Sequence, residues 1–318
     1  MVKVLVLAAT GKQGGATVRA LLASKSQLHS HSHSVRALVR DASSAKAQAL
    51  AALGAEVVVG GDWATDVAAL DGAFAGGVEA VFFPSVPSFT DFEAELRGAT
   101  NVVEAARRAR TVRHVLYSSV GGLDRYQTFK GWDSTPFFAN YWTAKAKSED
   151  LVKKGGFEHY TILRPTEFMS NYTGETAHFQ VPDLIKQGIL HTALPPSFPL
   201  SEIDVDDIGR VAAAAIASPA IFARGRRELH VTGEVLTLGE IVAQLGEVLG
   251  KKLSVSTWTR EEALEALRTR EVVAGQLMRL DSDWPNPPAD DFGLGFKTFR
   301  QHLEEHKEEI RELYKAVP

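Results

Sequence analysis

The chain has 318 residues, 45% hydrophobic and 23% charged, a balance that excludes a globally disordered polymer. Its 35 Lys and Arg against 39 Asp and Glu leave a net charge of −4, so nothing draws it globally toward nucleic acid or an anionic membrane. Cysteine is absent, which excludes disulfides, thiolate catalysis and Cys-ligated metal centres; a reducing, cytoplasmic setting is the expectation. In chain order, strands are expected at Lys3–Ala8, Val35–Val39, Glu56–Val59, Ala80–Phe83, His114–Ser118 and Tyr160–Leu163. The first five are mostly continuous apolar runs, as strands buried on both faces of a parallel sheet are. Helical stretches rich in Ala, Leu, Arg and Glu lie between them at Gly14–Ser24, Ser43–Leu53, Val67–Phe74 and Phe92–Ala109. Strands alternating with helices predict right-handed βαβ crossovers and a doubly wound α/β sheet.

The second half changes character. Asp204 and Asp207 open an alanine-rich helix that Ser218-Pro219 ends, and Thr237/Glu240 and Thr259/Glu262 have capping-box spacing. Residues 296–314 read as one amphipathic terminal helix, and Trp284–Pro288 must be irregular. The apolar run Val211–Ala223 is interrupted and too short to span a membrane, and the apolar N-terminus reads as a first strand rather than a signal segment. Between the first helix and the second strand lies SKSQLHSHSHS, whose alternating His29, His31 and His33 would share one face of an extended chain. No other good ligand accompanies them, so a solvated loop insertion is expected and no metal site is assigned.

The first strand runs into Ala8-Ala9-Thr10-Gly11-Lys12-Gln13-Gly14-Gly15 and then a helix. Small residues at Ala8, Gly11 and Gly14 let backbone approach a pyrophosphate, which the helix N-terminus attracts through its N–H groups and positive dipole end. Thr10, Gly11, Lys12, Gln13 and Gly14 are therefore expected to contact cofactor; a tight turn without ligand is the bland alternative. The second strand ends at Arg40, whose guanidinium suits the 2′-phosphate of NADP, whereas an acidic residue there would suit NAD. Asp41 competes, with capping of the next helix as its plainer role. Asp62, just past the third strand, is placed for the adenine or serves as a turn residue, and Pro84 ends the fourth strand beside the same edge.

AATGKQGG, VRALVRD, HVLYSSVGG, the lysine helix and YTILRPTEFMSN run in the order found in NmrA-like proteins, an atypical branch of the short-chain dehydrogenase/reductase superfamily, which the chain resembles over nearly its whole length. The resemblance implies a Rossmann-type NADP(H) domain over 1–163, with the 204–219 helix packing back on it. It also implies a smaller C-terminal α/β lobe over most of 164–318 that closes a substrate cleft. Such proteins usually have glycine where Ala8 stands; a methyl group is tolerated there if φ stays negative.

Tyr141-x-x-x-Lys145 puts both side chains on one helix face. The resemblance implies that Tyr141 is the acid or base and that Lys145 supports it and bonds the nicotinamide ribose. A nearby ammonium favours phenolate, and a shift of about three units from the tyrosine value near 10 is about 4 kcal/mol. Ser118 or Ser119 at the end of the fifth strand completes a trio that polarises a carbonyl, with Ser119 nearer the sheet edge. In the alternative, Tyr141 is a core or pocket-wall aromatic and only Lys145 touches cofactor. Phe89, Trp132, Phe138, Phe168 and Tyr172 are expected against a bulky apolar or aromatic substrate, with Phe137, Trp142, Met169 and Asn171 as further walls. The reading is an NADPH-dependent reductase acting on a carbonyl, imine or activated alkene. The alternatives are an NADP(H)-sensing regulator with a protein partner, and a cofactor-holding enzyme of rearrangement or cyclisation without net redox.

Overall fold

The computed structural model describes residues 2–23, 33–88 and 90–318. In chain order its elements begin with β1 (Val2–Val6), α1 (Lys12–Ala23), β2 (His33–Val39), α2 (Ala45–Ala52), β3 (Glu56–Val59), α3 (Val67–Phe74), β4 (Ala80–Pro84), α4 (Ala94–Ala109), β5 (His114–Ser118), α5 (Pro136–Lys153) and β6 (His159–Pro165). There follow β7 (Glu167–Phe168), α6 (Ser170–Thr173), α7 (Ala177–Gln180), α8 (Pro182–Gln187), β8 (Ile189–Thr192), β9 (Pro199–Ile203), α9 (Val205–Ala217) and β10 (Glu228–Val231). The chain closes with β11 (Glu234–Thr237), α10 (Leu238–Leu249), β12 (Ser254–Thr257), α11 (Arg260–Leu267), α12 (Val272–Asp281), α13 (Phe299–Glu305) and α14 (Lys307–Leu313).

Two compact units result: Met1–Leu123 with Asn140–Pro165 and Val205–His230, and Asp124–Ala139 with Thr166–Asp204 and Val231–Pro318. Residues 124–139 fall in the second unit and 205–230 in the first. Residues 124–139 group with the second unit because their polar groups bond within it: Arg125 to Asp283 at 3.1 Å, and the Lys130 N–H to Ser282 at 2.8 Å. Residues 205–230 return to the first unit because α9 packs on α1 so closely that a Cβ at Gly209 would lie 2.5 Å from Ala16.

The first unit is a doubly wound sheet of order β3-β2-β1-β4-β5-β6-β10. Strands β1 to β6 pair in parallel, with Val4 beside Val35 and Ala80, and Leu116 beside Thr161. Continuous apolar runs form these strands because helices cover both faces: Leu5, Val81, Val115 and Ile162 are all fully buried in one core. The order reverses between β1 and β4, which opens a crevice at the carboxyl edge beside the glycine turn. His33 lies in β2, is buried and pairs with Val2, so it is not part of a solvated loop; His29 and His31 fall outside the described residues.

The second unit holds the sheets β11-β9-β7 and β12-β8 over a core that includes Leu184, Ile241, Leu245 and Phe299. The capping boxes expected at Thr237/Glu240 and Thr259/Glu262 are both present. The terminal segment is two helices rather than one. A third capping box, Thr298/Gln301, opens α13, and His306 (φ −103°, ψ 17°) interrupts the run before α14. Among the described residues no helix is long and apolar enough to cross a membrane.

Candidate functional site

The glycine turn is built by close approach. A Cβ at Gly14 would lie 2.2 Å from the Ala8 carbonyl oxygen and 2.7 Å from that of Leu7, so only glycine lets the first turn of α1 sit on the end of β1. Gly11 donates its N–H to Ala8 at 2.8 Å and closes the turn. Ala8 has φ 50°, the left-handed conformation, so the expected negative φ is not what the chain adopts. The usual glycine position is held by alanine at a cost of about 1–2 kcal/mol. Thr10 and Gln13 are half-buried and Gly11 and Lys12 exposed, which leaves the turn's outer face open beside a helix N-terminus. These features fit a pyrophosphate.

Arg40 follows β2, is exposed, and has no ion pair or hydrogen bond among the described residues. Its neighbour Asp41 is committed: its carboxylate accepts from the Ser43 N–H at 2.8 Å and the Ser43 hydroxyl at 2.6 Å, and these bonds hold it below the usual carboxylate range. The N-cap of α2 is Ser44 rather than Asp41, because the Ser44 hydroxyl accepts from the Ala47 N–H. The 2′-phosphate partner expected from sequence is thus an uncommitted cation with no competing acid. Asp62 is exposed, with one carboxylate oxygen taken by the Ala64 N–H at 2.9 Å in a turn.

At the neighbouring strand ends the two serines separate. Ser118 is fully buried and donates to the Gln13 side chain at 2.6 Å, tying β5 to the glycine turn. Ser119 is buried with its hydroxyl unpartnered among the described residues, so it alone of the two is uncommitted. Pro84 is buried in register with Ser118, and the Ser85 N–H donates to the Ser118 carbonyl at 2.8 Å.

Tyr141 and Lys145 share one face of α5, one turn apart. Lys145 Nζ lies 3.9 Å from the centroid of the Tyr141 ring, a cation–π contact. Lys145 is 2% exposed, and its three protons are taken: both oxygens of Glu95 stand at 3.0 Å, and the Ser85 hydroxyl accepts the third. A ribose hydroxyl, the partner implied by resemblance, finds a donor on Lys145 only if one of these bonds opens. Burial pushes the ammonium down in pKa, against the opposing pull of Glu95. Glu95 also accepts from Ser85 at 2.7 Å and from the Tyr117 hydroxyl at 3.2 Å.

Glu95 escapes sequence reasoning that looks for motifs, although a signal exists. Glu95, Gly98, Ala99 and Val102 have the spacing of one helix face, so an acid stands in an otherwise apolar stripe. A carboxylate on a buried stripe needs a buried cation.

The expected substrate aromatics divide. Trp132 and Phe138 are half-buried in the second unit, with Trp132 edge-on to Tyr126 at 5.0 Å and Phe138 against Gly275. Phe168 is half-buried on β7. Tyr172 is 7% exposed, packs edge-on to Phe299 and belongs to the second unit's core, as does fully buried Met169. Trp142 is likewise buried. Periodicity cannot tell such inward aromatics from wall residues, because both occupy the apolar face. Phe89 lies outside the described residues.

In the second unit, Asp204, His302 and His306 bring three potential ligand atoms within 4.8 Å of one another. The imidazole of His302 is engaged at both nitrogens, by Asp204 at 2.7 Å and Thr173 at 2.8 Å, and the Lys297 ammonium stands 3.9 Å from Asp204. A cation in that place and an occupied imidazole make this a tie joining α6, α13 and the end of β9.

The sheet order, the reversal point and the glycine turn define a Rossmann-type α/β protein. Residues 2–282 match the NmrA-like family, and the chain belongs to that family. An NmrA-like oxidoreductase of Malbranchea aurantiaca, malD, is 31% identical over 175 residues, 54% of this chain and 49% of that one. The chain thus matches about half the length of that relative. Among solved structures, the Citrobacter sp. triphenylmethane reductase in complex with NADP(H) has a TM-score of 0.70 at 21% identity, covering 95% of this chain and 99% of that one. NmrA, a negative transcriptional regulator solved with NAD, has a TM-score of 0.70 at 20% identity, covering 99% of this chain and 97% of that one. At these identities the structural likeness establishes the fold.

Proposed function

We propose that the protein is an NADPH-dependent reductase of a bulky apolar or aromatic small molecule whose acceptor is a carbonyl, imine or activated alkene. The observation that carries the reading is the Lys145 ammonium 3.9 Å from the Tyr141 ring, in the unit that also holds the glycine turn. The oxidoreductase name of malD and the NADP(H) bound in the triphenylmethane reductase support it. Thr10 to Gly14 would hold the pyrophosphate and Arg40 the 2′-phosphate. When bound, the cofactor supplies a hydride to the acceptor carbon. Tyr141 gives a proton to the atom that gains charge, Lys145 stabilises the phenolate left behind, and Ser119 donates a hydrogen bond to the acceptor. Solvent restores the tyrosine proton.

A second reading, an NADP(H)-sensing regulator without turnover, is favoured by one feature: all three Lys145 protons are committed internally. Calorimetry and turnover separate the two. NADPH is expected to bind, and Arg40→Ala to weaken it by about ten- to hundredfold (about 1.5–3 kcal/mol) with NADH unaffected. With aromatic carbonyls, quinones and imines, Tyr141→Phe should cut kcat strongly with NADPH affinity kept. NADPH binding with no consumption across that panel would favour the sensor, and no binding would remove both readings.

A further inference from the structure

We propose that Glu95 is a positioning residue of the site: it anchors the Lys145 ammonium beneath the Tyr141 ring, so that the phenol works against a fixed positive charge. The inference rests on the reading of Tyr141 as the proton donor.

Glu95 Oε1 accepts from Ser85, Tyr117 and Lys145, and Oε2 accepts from Lys145. An ionised carboxylate has about four acceptor sites and an ammonium three donors, so neither group has capacity left over. Such a pair is locked in one geometry. Four separate elements contribute to it: α4 through Glu95, the segment after β4 through Ser85, β5 through Tyr117 and α5 through Lys145 and Tyr141. Those are the groups that face the ammonium.

The second step is direction. Glu95, Tyr117 and Lys145 are all buried, at 8%, 1% and 2% exposure. Ser85 and Tyr141 are the half-buried members. The network therefore presents its charge outward through one hydroxyl and one phenol ring. A purely structural contact gains little from ionic groups, since well-packed apolar residues of similar volume often serve as well or better. Burial pushes the ammonium's pKa down, and Glu95 opposes that push.

The third step is how Glu95 acts. It touches neither substrate nor cofactor in this reading; it acts through Lys145. Its effect on Tyr141 must then vanish when Lys145 is absent, which defines the experiment. The ionisation of Tyr141 is followed by ultraviolet difference absorbance against pH, as the full chain minus its Tyr141→Phe counterpart. Glu95→Gln should move the Tyr141 step to higher pH by about one unit, because a lysine without its carboxylate gives up its proton more readily. Lys145→Met should move it similarly, and the double variant no further than Lys145→Met alone. Glu95→Asp, which keeps the charge, should recover at least half of the shift.

An unchanged Tyr141 step in folded Glu95→Gln, or shifts that add in the double variant, would overturn the proposal. If Glu95→Gln does not fold, Glu95→Asp and the double variant, which removes both charges together, carry the same comparison. NADPH calorimetry on the same samples keeps the two ideas apart. Loss of binding in the wild-type chain removes the reductase reading, while the tyrosine titration decides on Glu95.

Discussion

Buried acids of the two units sit in opposite settings. In the first unit, Glu149 and Glu95 are both paired with a cation. Arg164 grips Glu149 through two bonds of 3.0 and 2.6 Å and reaches Glu228 at 2.7 Å, and Lys145 is matched to Glu95. In the second, Glu202 is fully buried on β9, between Glu234 and Glu167 on the adjacent strands, and both its oxygens lack partners among the described residues. Burial first, and then Glu167 and Glu234, push its carboxyl well above the usual range, with partial relief from Arg279. The contrast teaches that burial alone does not set the electrostatics of an acid. A cation and donors at hydrogen-bond distance offset the desolvation of a buried carboxylate, and without them burial pushes the carboxyl up, as at Glu202.

The largest expected effect comes from breaking a pair. Arg164→Ala leaves buried Glu149 with only the Lys153 ammonium, 3.4 Å away, and should cost up to about 3–5 kcal/mol in urea unfolding. A loss below about 1 kcal/mol would mean that the pair is solvated.

Next come two opposite pH slopes, one from each unit. His114 is buried in β5, and desolvation, with smaller contributions from His159 and Arg227, lowers its pKa from 6.5 to about 3. Below pH 6.5 the unfolded chain takes up a proton that the folded one refuses. Stability is then lost as pH falls through that window, by up to about 5 kcal/mol. His114→Gln should flatten that acid limb in urea melts taken from pH 7 to pH 3. Glu202 has the other sign. Above about pH 4.5 the unfolded carboxyl releases its proton first while the folded one keeps it, so stability falls as pH rises, by up to about 1.4 kcal/mol per unit. Glu202→Gln should remove that slope, and a parallel pair of stability curves from pH 5 to pH 8 would count against it.

The smallest effect sharpens the glycine turn. Ala8→Gly relieves a left-handed alanine and should stabilise the first unit by about 1 kcal/mol, read as a higher melting temperature. Unchanged melting would place the conformation at no cost.

Local chemistry was legible before any coordinates. Glu56–Val59, Val67–Phe74 and His114–Ser118 come out with the bounds their residues predict, and two capping boxes stand where Thr and Glu are three apart. Gly14 and Arg40 were readable because the turn and the strand end are defined by neighbours in sequence. Other features were not legible for the same reason inverted. Ser44 caps α2 because the helix starts at Ala45, three residues later than a cap at Asp41 would set it. The terminal helix breaks at His306, where the apolar period continues undisturbed. Tyr172 reads as a pocket aromatic and packs in a core.

What the amino-acid order alone determined was the alternation of buried strands and helices, the turn at Gly11 and Gly14 and the one-turn spacing of Tyr141 and Lys145, since each depends on residues a few positions apart. Tertiary structure alone decided that Lys145 meets Glu95, fifty positions away, and that both Glu202 oxygens lack a hydrogen-bond partner among the described residues. Electrostatic free energy depends on distance and burial in space, and neither is written in the spacing of the chain.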